Sequence, residues 1–205
     1  MTIITLMGTP GSGKSTLGKL LAQQLGFKHY SMGDLQRRIA TQHGWTINEL
    51  MAKNVSGAFD SDTETDELQT RLGKEEDDFV IDGRLSWHFI PHSFKVFLDC
   101  EERERARRLV ERGSASDNAA DIDDAMRLNA ERLAHEKKNF LQKYGLDPYD
   151  KRHYDLVLDS THTPPEELAR QVRDALQRRI RRDNGKFINN SGAQGYGKGV
   201  DTHGR

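Results

Sequence analysis

The chain has 205 residues, 35% of them hydrophobic and 31% charged, a balance that suits one domain with a substantial core and excludes a disordered polymer. A formal net charge of −1 excludes a global field for nucleic acid or an anionic membrane, so anion binding must come from local clusters of lysine and arginine. The single cysteine, Cys100, excludes an internal disulfide and a multi-cysteine zinc site; it reads as a small buried hydrophobe at a strand end.

Taken in order, Thr2-Ile3-Ile4-Thr5-Leu6-Met7 is short, β-branched and apolar, the pattern of a buried parallel strand. With that strand beginning at Thr2, and with no apolar run of membrane-spanning length, no signal peptide and a cytoplasmic location are expected. The next residues, Gly8-Thr9-Pro10-Gly11-Ser12-Gly13-Lys14-Ser15, fit G-x-x-x-x-G-K-[ST], with Thr16 directly after. The glycines let the main chain approach a phosphate closely. A helix opening at Lys14 aims its free N–H groups and positive dipole end at the anion. Lys14 can reach the β- and γ-phosphates, and the Ser15 hydroxyl can ligate Mg²⁺. Leu17, Leu20, Leu21 and Leu25 follow at helical spacing, and Gly26 supplies a stop. A nucleoside triphosphate such as ATP is therefore the expected ligand of residues 8–16.

Phe27–Ser31 reads as a short strand, and Gly33-Asp34 leads into a helix with Leu35, Ile39 and Ala40 on one face and Arg37 and Arg38 near its start. Thr46-Ile47-Asn48-Glu49 is a capping box. Gly57–Asp66, acidic and rich in small residues, reads as a surface connection, followed by a helix from Thr63 to Gly73. Residues 33–73 thus form a helical insertion longer than a simple crossover requires.

Phe79-Val80-Ile81-Asp82-Gly83-Arg84 has the form of a buried parallel strand with a carboxylate at its carboxyl end, the edge where ligands bind in open α/β sheets. Asp82 is placed to hold Mg²⁺ beside Ser15, directly or through water, and Arg84 to grip a phosphate bidentately. The competing reading is an Asp-Gly turn with an exposed arginine.

Phe94–Asp99 is a further strand, and Glu101–Arg112 a highly charged helix. Arg105, Arg108 and Arg112 share one face of it, either as a solvated surface or as several guanidinium groups turned to a phosphate chain. Gly113–Asp124 is small, polar and acidic, suited to a mobile loop, and Ala125–Tyr144 is a long helix with Arg127 and Arg132, closed by Gly145. Tyr154–Asp159 is the last strand. Thr163-Pro164-Pro165-Glu166 starts a final helix with Leu168, Val172, Ala175, Leu176 and Ile180 as its buried stripe. Arg178, Arg179, Arg181 and Arg182 suit its negative end. From Asn184 the chain is Gly/Asn-rich without periodicity, so residues 184–205 are expected to be a disordered tail on a domain of residues 1–183.

Read as an ordered set, Gly8–Ser15, Tyr30-Ser31-Met32-Gly33-Asp34 with Arg37, Asp82-Gly83-Arg84-Leu85-Ser86, Arg105/Arg108/Arg112, Tyr144-Gly145-Leu146-Asp147 and Tyr154-Asp155-Leu156-Val157 resemble the nucleoside monophosphate kinases, and among them the archaeal-type cytidylate kinases. The resemblance spans Met1 to about Arg179. It implies an α/β phosphate-loop fold: a five-stranded parallel sheet flanked by helices, with the 33–73 insertion binding the monophosphate and a lid at 113–132. It implies ATP with Mg²⁺, a monomer, and phosphorylation of CMP or dCMP. Asp34 and Arg37 would lie at the acceptor nucleotide, Arg84 at its phosphate, and Arg132 would come from the lid to the transferring group. Two departures stand out: Ala130 replaces an arginine common in relatives, and Trp87-His88 directly follow the Gly-Arg-Leu-Ser run. The same scaffold serves adenylate kinases and other small-molecule kinases. A nucleotide-dependent switch or an RNA-associated module are the readings from other classes; no Asn-Lys-x-Asp run for guanine selection is present.

Overall fold

The computed structural model describes residues 2–111 and 119–191. Five parallel strands lie in the order β2-β3-β1-β4-β5, with β1 Ile3–Gly8, β2 Lys28–Ser31, β3 Phe79–Asp82, β4 Phe94–Asp99 and β5 Leu156–Asp159. The central strand β1 is buried at every position, and its register sets Leu6 opposite Asp82 on one side and Gly8 opposite Leu98 on the other. Because side chains alternate along a strand, Ile4 and Leu6 face one layer while Ile3 and Met7 face the other.

The first layer is α1 (Lys14–Leu25) and α8 (Pro165–Ser191), whose Leu17, Leu21, Leu168 and Val172 pack on Ile4, Val80, Val96 and Leu98. The second layer holds α2 (Met32–Gln42), α3 (Ile47–Ser56), α4 (Ser61–Glu75), the single turn α5 (Ser86–Phe89), α6 (Glu102–Glu111) and α7 (Ile122–Tyr144). Met32 and Leu72 cover Ile3, Phe79 and Ile81, while Phe140, Tyr144 and Tyr154 close over Met7, Trp87 and Phe97. Cys100 is buried, as its apolar reading requires. Trp87, one of the departures noted in the sequence, is also buried, with its ring stacked on His153 at 4.3 Å.

The chain leaves β1 toward β2 on one side and leaves β3 toward β4 on the other. A crevice therefore opens between β1 and β3 at their carboxyl ends, next to Gly8 and Asp82. The structure confirms the capping box on α3, with Thr46 and Glu49 satisfying each other's backbone N–H groups. Gly26 and Gly145 end α1 and α7 in the left-handed conformation.

Several boundaries differ from the sequence reading. The surface connection is shorter than Gly57–Asp66: residues 57–60 link α3 to α4, which begins at Ser61, capped by Asp60, with Ser61 and Thr65 buried. Asn54 explains this, because its amide accepts from the Ser61 N–H and donates to the Ser61 hydroxyl, so small polar residues pack between two helices without losing hydrogen bonds. Helix α7 starts at Ile122 rather than Ala125, with Asp121 as its cap, and β5 begins at Leu156 rather than Tyr154. Helix α8 runs through Ser191, eight residues past the expected domain end at Asp183. An established helix adds one hydrogen bond per residue, which carries it through Asn184 and Gly185 despite their low propensity. In consequence Arg178–Arg182 are not at the helix end, and Ile180 is 42% exposed rather than part of the buried stripe. Arg179 instead reaches across to Asp155 and to the Ser93 carbonyl. The remainder of the tail, residues 192–205, and residues 113–118 of the expected lid lie outside the described residues.

The 33–73 segment appears as α2, α3 and α4, set against the far end of α7. Tyr144 donates to Asp66 at 2.7 Å, and Lys143 reaches Asp62 and Asp60. Burial pushes the Asp66 carboxyl up to about 6 even though the Tyr144 hydrogen bond favours its charged form. Among the described residues no helix is long and apolar enough to cross a membrane.

Candidate active site

The loop between β1 and α1 takes its shape from backbone conformations that side chains resist. Gly13 caps α1 at φ 89°, and Gly11 sits at φ 83° with so little room that an added Cβ would lie 2.7 Å from the Arg105 carbonyl oxygen. Ser12 N–H donates to the Thr9 carbonyl, closing a turn, and the Lys14 ammonium bends back to the same carbonyl at 3.1 Å. Ser160, from the end of β5, places its hydroxyl 2.9 Å from the carbonyls of both Ser12 and Asp99 and so ties the loop to the sheet. The hydroxyls of Thr9 and Ser12 are buried and have no hydrogen-bond partner among the described residues. Such orphaned donors suit an oxyanion.

Lys14 lies in the field of Asp82, Arg84, Arg132 and Glu136. Burial first, and then the charge of Arg84, lower its pKa to about 7 against the opposing pull of the two carboxylates. The structure therefore brings together Lys14, Asp82, Arg84 and Arg132, which lie on three separate stretches of the sequence.

Asp82 is buried at the end of β3. Its Oδ1 accepts from the Ser31 hydroxyl at 3.1 Å, and its Oδ2 lies 3.0 Å from His29 Nε2. Both partners come from β2, whose residues lie beside β3 in parallel register. Ser15 is half-buried at the start of α1. With one hydroxyl and one carboxylate, Ser15 and Asp82 form no cage: among the described residues no group of three His, Cys, Asp or Glu side chains can hold a metal.

Arg84 is neither an exposed turn arginine nor an open phosphate grip. Its Nε and one terminal nitrogen donate to the two oxygens of Glu136, each at 2.8 Å. Arg132 donates to Glu136 at 3.1 Å, and the Tyr149 hydroxyl donates to the same carboxylate. Burial alone would raise the Glu136 carboxyl, but the charge and hydrogen bonds of Arg84, with Arg132, reverse this and hold it at about 2. Glu136 and Tyr149 were missed in the sequence. The available signal was weak: Glu136 lies one turn beyond Arg132, a spacing shared by many surface ion pairs.

Asp34 and Arg37 sit on the first turns of α2 and pair with each other, both more than 45% exposed. The hydrogen bond from Arg37 is the main cause holding the Asp34 carboxyl below its usual range. On α6 the expected row of guanidinium groups is broken. Arg105 is buried under the loop, and its Nε and one terminal nitrogen have no hydrogen-bond partner among the described residues. Arg108 donates to the carbonyls of Ser160 and Thr161. Arg112 lies outside the described residues. Behind the loop, Arg108, Thr16, Ser160, Thr163 and Pro165 line a cleft of about 250 Å³.

The chain is similar to known proteins over most of its length. A family model described as an AAA domain matches residues 4–129. The cytidylate kinase of Thermococcus kodakarensis is 35% identical over 175 residues, covering 85% of this chain and 87% of its own. That of Pyrococcus abyssi is 34% identical over 85% of this chain and 93% of its own. Among solved structures, shikimate kinase from Acinetobacter baumannii shares the fold, with a TM-score of 0.58 at 15% identity over 87% of this chain and 94% of that one.

Proposed function

The chain belongs to the AAA-domain family and to the cytidylate kinases, and we propose that it transfers the γ-phosphoryl group of ATP to the phosphate of CMP or dCMP. The observation that carries the proposal is the gathering of Lys14, Arg84, Arg132 and Asp82 within one another's field beside the Gly8–Ser15 loop. Phosphoryl transfer demands positioning and neutralisation of oxygen charge rather than covalent chemistry by the protein. The backbone N–H groups at the start of α1 and the hydroxyls of Thr9 and Ser12 hold the donor phosphates in this reading, and the cleft at Thr16, Arg108 and Thr163 receives the donor base. Arg84 orients the acceptor phosphate, while Lys14 and Arg132 stabilise charge on the group in transit. The acceptor is already an ionised phosphate, so no base is needed to activate it. Asp34 and Arg37 face the acceptor from α2, within an insertion formed by residues 33–73. Residues 113–132 act as the lid, and its closure excludes the water that would otherwise compete as acceptor.

The donor set at Ser15 and Asp82 fits Mg²⁺, which keeps most of its water and arrives with the nucleotide phosphates rather than in an all-protein cage. Bound there, it supplies charge neutralisation between the phosphates. Ser31 and His29 fix the Asp82 carboxylate for that contact. In this reading the protein acts as a monomer in the cytoplasm.

A panel of monophosphates offered with ATP and Mg²⁺ tests the reading. CMP and dCMP should have the highest kcat/KM for diphosphate formation; AMP as best acceptor would leave only the broader kinase assignment, and ATP hydrolysis without any diphosphate would remove that too.

A further inference from the structure

Glu136 has no role in the scheme above, yet it is the most heavily bonded carboxylate in the cleft. Its two oxygens take both forks of Arg84, the Nε of Arg132 and the Tyr149 hydroxyl, and its side chain is 13% exposed. A carboxylate and a phosphate present the same pair of oxygens to a guanidinium fork. The groups gathered around Glu136 are those that a phosphoryl acceptor requires. We propose that Glu136 is a built-in stand-in for the acceptor's phosphate: in the free protein its carboxylate occupies Arg84 and Arg132, and the incoming phosphate displaces it.

Two physical consequences follow. Without Glu136, Arg84, Arg132 and Lys14 would lie close together with less negative charge to offset them, which is costly in a part-buried space. Glu136 holds the guanidinium groups at the spacing a phosphate needs, so less reorganisation is required when substrate arrives. The same contact lowers acceptor affinity, because phosphate binds only as the carboxylate leaves. Glu136 stands on α7 and Arg84 follows β3, so the exchange also releases the two hydrogen bonds that join α7 to the carboxyl end of β3. Tyr149 belongs to the loop after α7, and its hydroxyl stabilises the occupied, substrate-free arrangement.

Glu136 is thus a positioning residue that acts through Arg84 and Arg132. The inference rests on the reading of this cleft as the acceptor site, but it has a readout that needs no catalysis. Calorimetric titration of the nucleotide-free protein with sodium phosphate, at fixed ionic strength, compares wild type with Glu136→Gln and Tyr149→Phe. Glu136→Gln should bind inorganic phosphate about tenfold more tightly or better, since a competing charge pair of that kind amounts to a factor of ten or more. Tyr149→Phe should gain about threefold by weakening the hold on the carboxylate. In turnover, Glu136→Gln should lower the KM for CMP and lower kcat as well, a split that loss of structure alone would not produce.

Equal or weaker phosphate binding by Glu136→Gln, or no detectable binding by either protein, overturns the proposal. If Glu136→Gln does not fold, Tyr149→Phe decides: tighter binding supports the stand-in, and unchanged or weaker binding rejects it. A gain in phosphate affinity with no CDP formed by the wild type would leave the stand-in intact and remove the kinase reading. CDP formation with no gain would do the reverse.

Discussion

The two halves of the cleft are built in different ways. On one side, the loop of residues 8–15 is a backbone device: two glycines with φ of 83° and 89°, a helix start, and a turn closed by Ser12 and Thr9. On the other, the site is a side-chain device, in which Arg84, Arg132, Glu136 and Tyr149 meet from the end of β3, from α7 and from the loop after it. The first half holds its shape through local covalent constraints. The second depends on the pairing of opposite charges, and removing Glu136 takes away the acceptor that Arg84, Arg132 and Tyr149 share.

That contrast can be broken by substitution. The largest effect is expected for Lys14→Ala, which removes the ammonium proposed to stabilise the transferring phosphoryl group while leaving the loop backbone intact. Turnover should fall by about 10²-fold or more in a steady-state coupled assay, with the unfolding midpoint of the nucleotide-free protein unchanged. Near-normal turnover by the folded variant would refute the assignment of this half. Gly11→Ala attacks the backbone device itself. An alanine at φ 83°, with its Cβ 2.7 Å from the Arg105 carbonyl, should cost about 2 kcal/mol in urea unfolding and weaken ATP binding in proportion. Stability equal to wild type would show that the loop relaxes freely and is no more rigid than the arginine side.

At the acceptor side, Asp34 either reads the base or only orients Arg37. If its carboxylate accepts from the cytosine amino group, Asp34→Asn should narrow the CMP/UMP ratio of kcat/KM by about tenfold. If it serves Arg37 alone, both values should fall together, and the ion pair between the two residues makes this the expected result.

The smallest effect concerns the joint between α4 and α7. The Asp66 pKa lies above its unfolded value, so between about pH 4 and pH 6 the folded protein holds more protons than the unfolded chain. Stability from this group accordingly falls as pH rises through that window. Asp66→Asn lacks the loss, so it should match wild type near pH 4 and exceed it by about 1 kcal/mol above pH 6, a figure discounted for the group's partial exposure. A difference that is flat with pH in urea titrations would show that Asp66 is not held in the state described.

The same contrast explains what was legible in the sequence. Residues 8–15 are contiguous, and each type is demanded by its own backbone or by the anion, so the loop could be read directly. The strand ending in Asp82 was legible because a run of apolar residues closed by a carboxylate has few other places in an α/β sheet. The partners of Asp82 were not, since His29 and Ser31 reach it only through the β2–β3 pairing. Arg84 was singled out by its place after the strand and Arg132 by resemblance, but Glu136 lies 52 positions from Arg84, and nothing local distinguishes it from the other acidic residues of α7. Helix limits failed where a tertiary contact decided them. Asn54 allowed α4 to begin among residues that look like a loop, and the continued α8 carried four arginines away from the helix end they were expected to cap.

The central claim is transfer of a phosphoryl group from ATP to the phosphate of CMP. Phosphorus NMR of the wild-type protein with ATP, CMP and Mg²⁺ tests it most directly, because donor, acceptor and water products have separate resonances. The account predicts ADP and CDP appearing in equal amounts, with no inorganic phosphate above the protein-free control; loss of ATP to ADP and inorganic phosphate, with CMP unchanged, would contradict it.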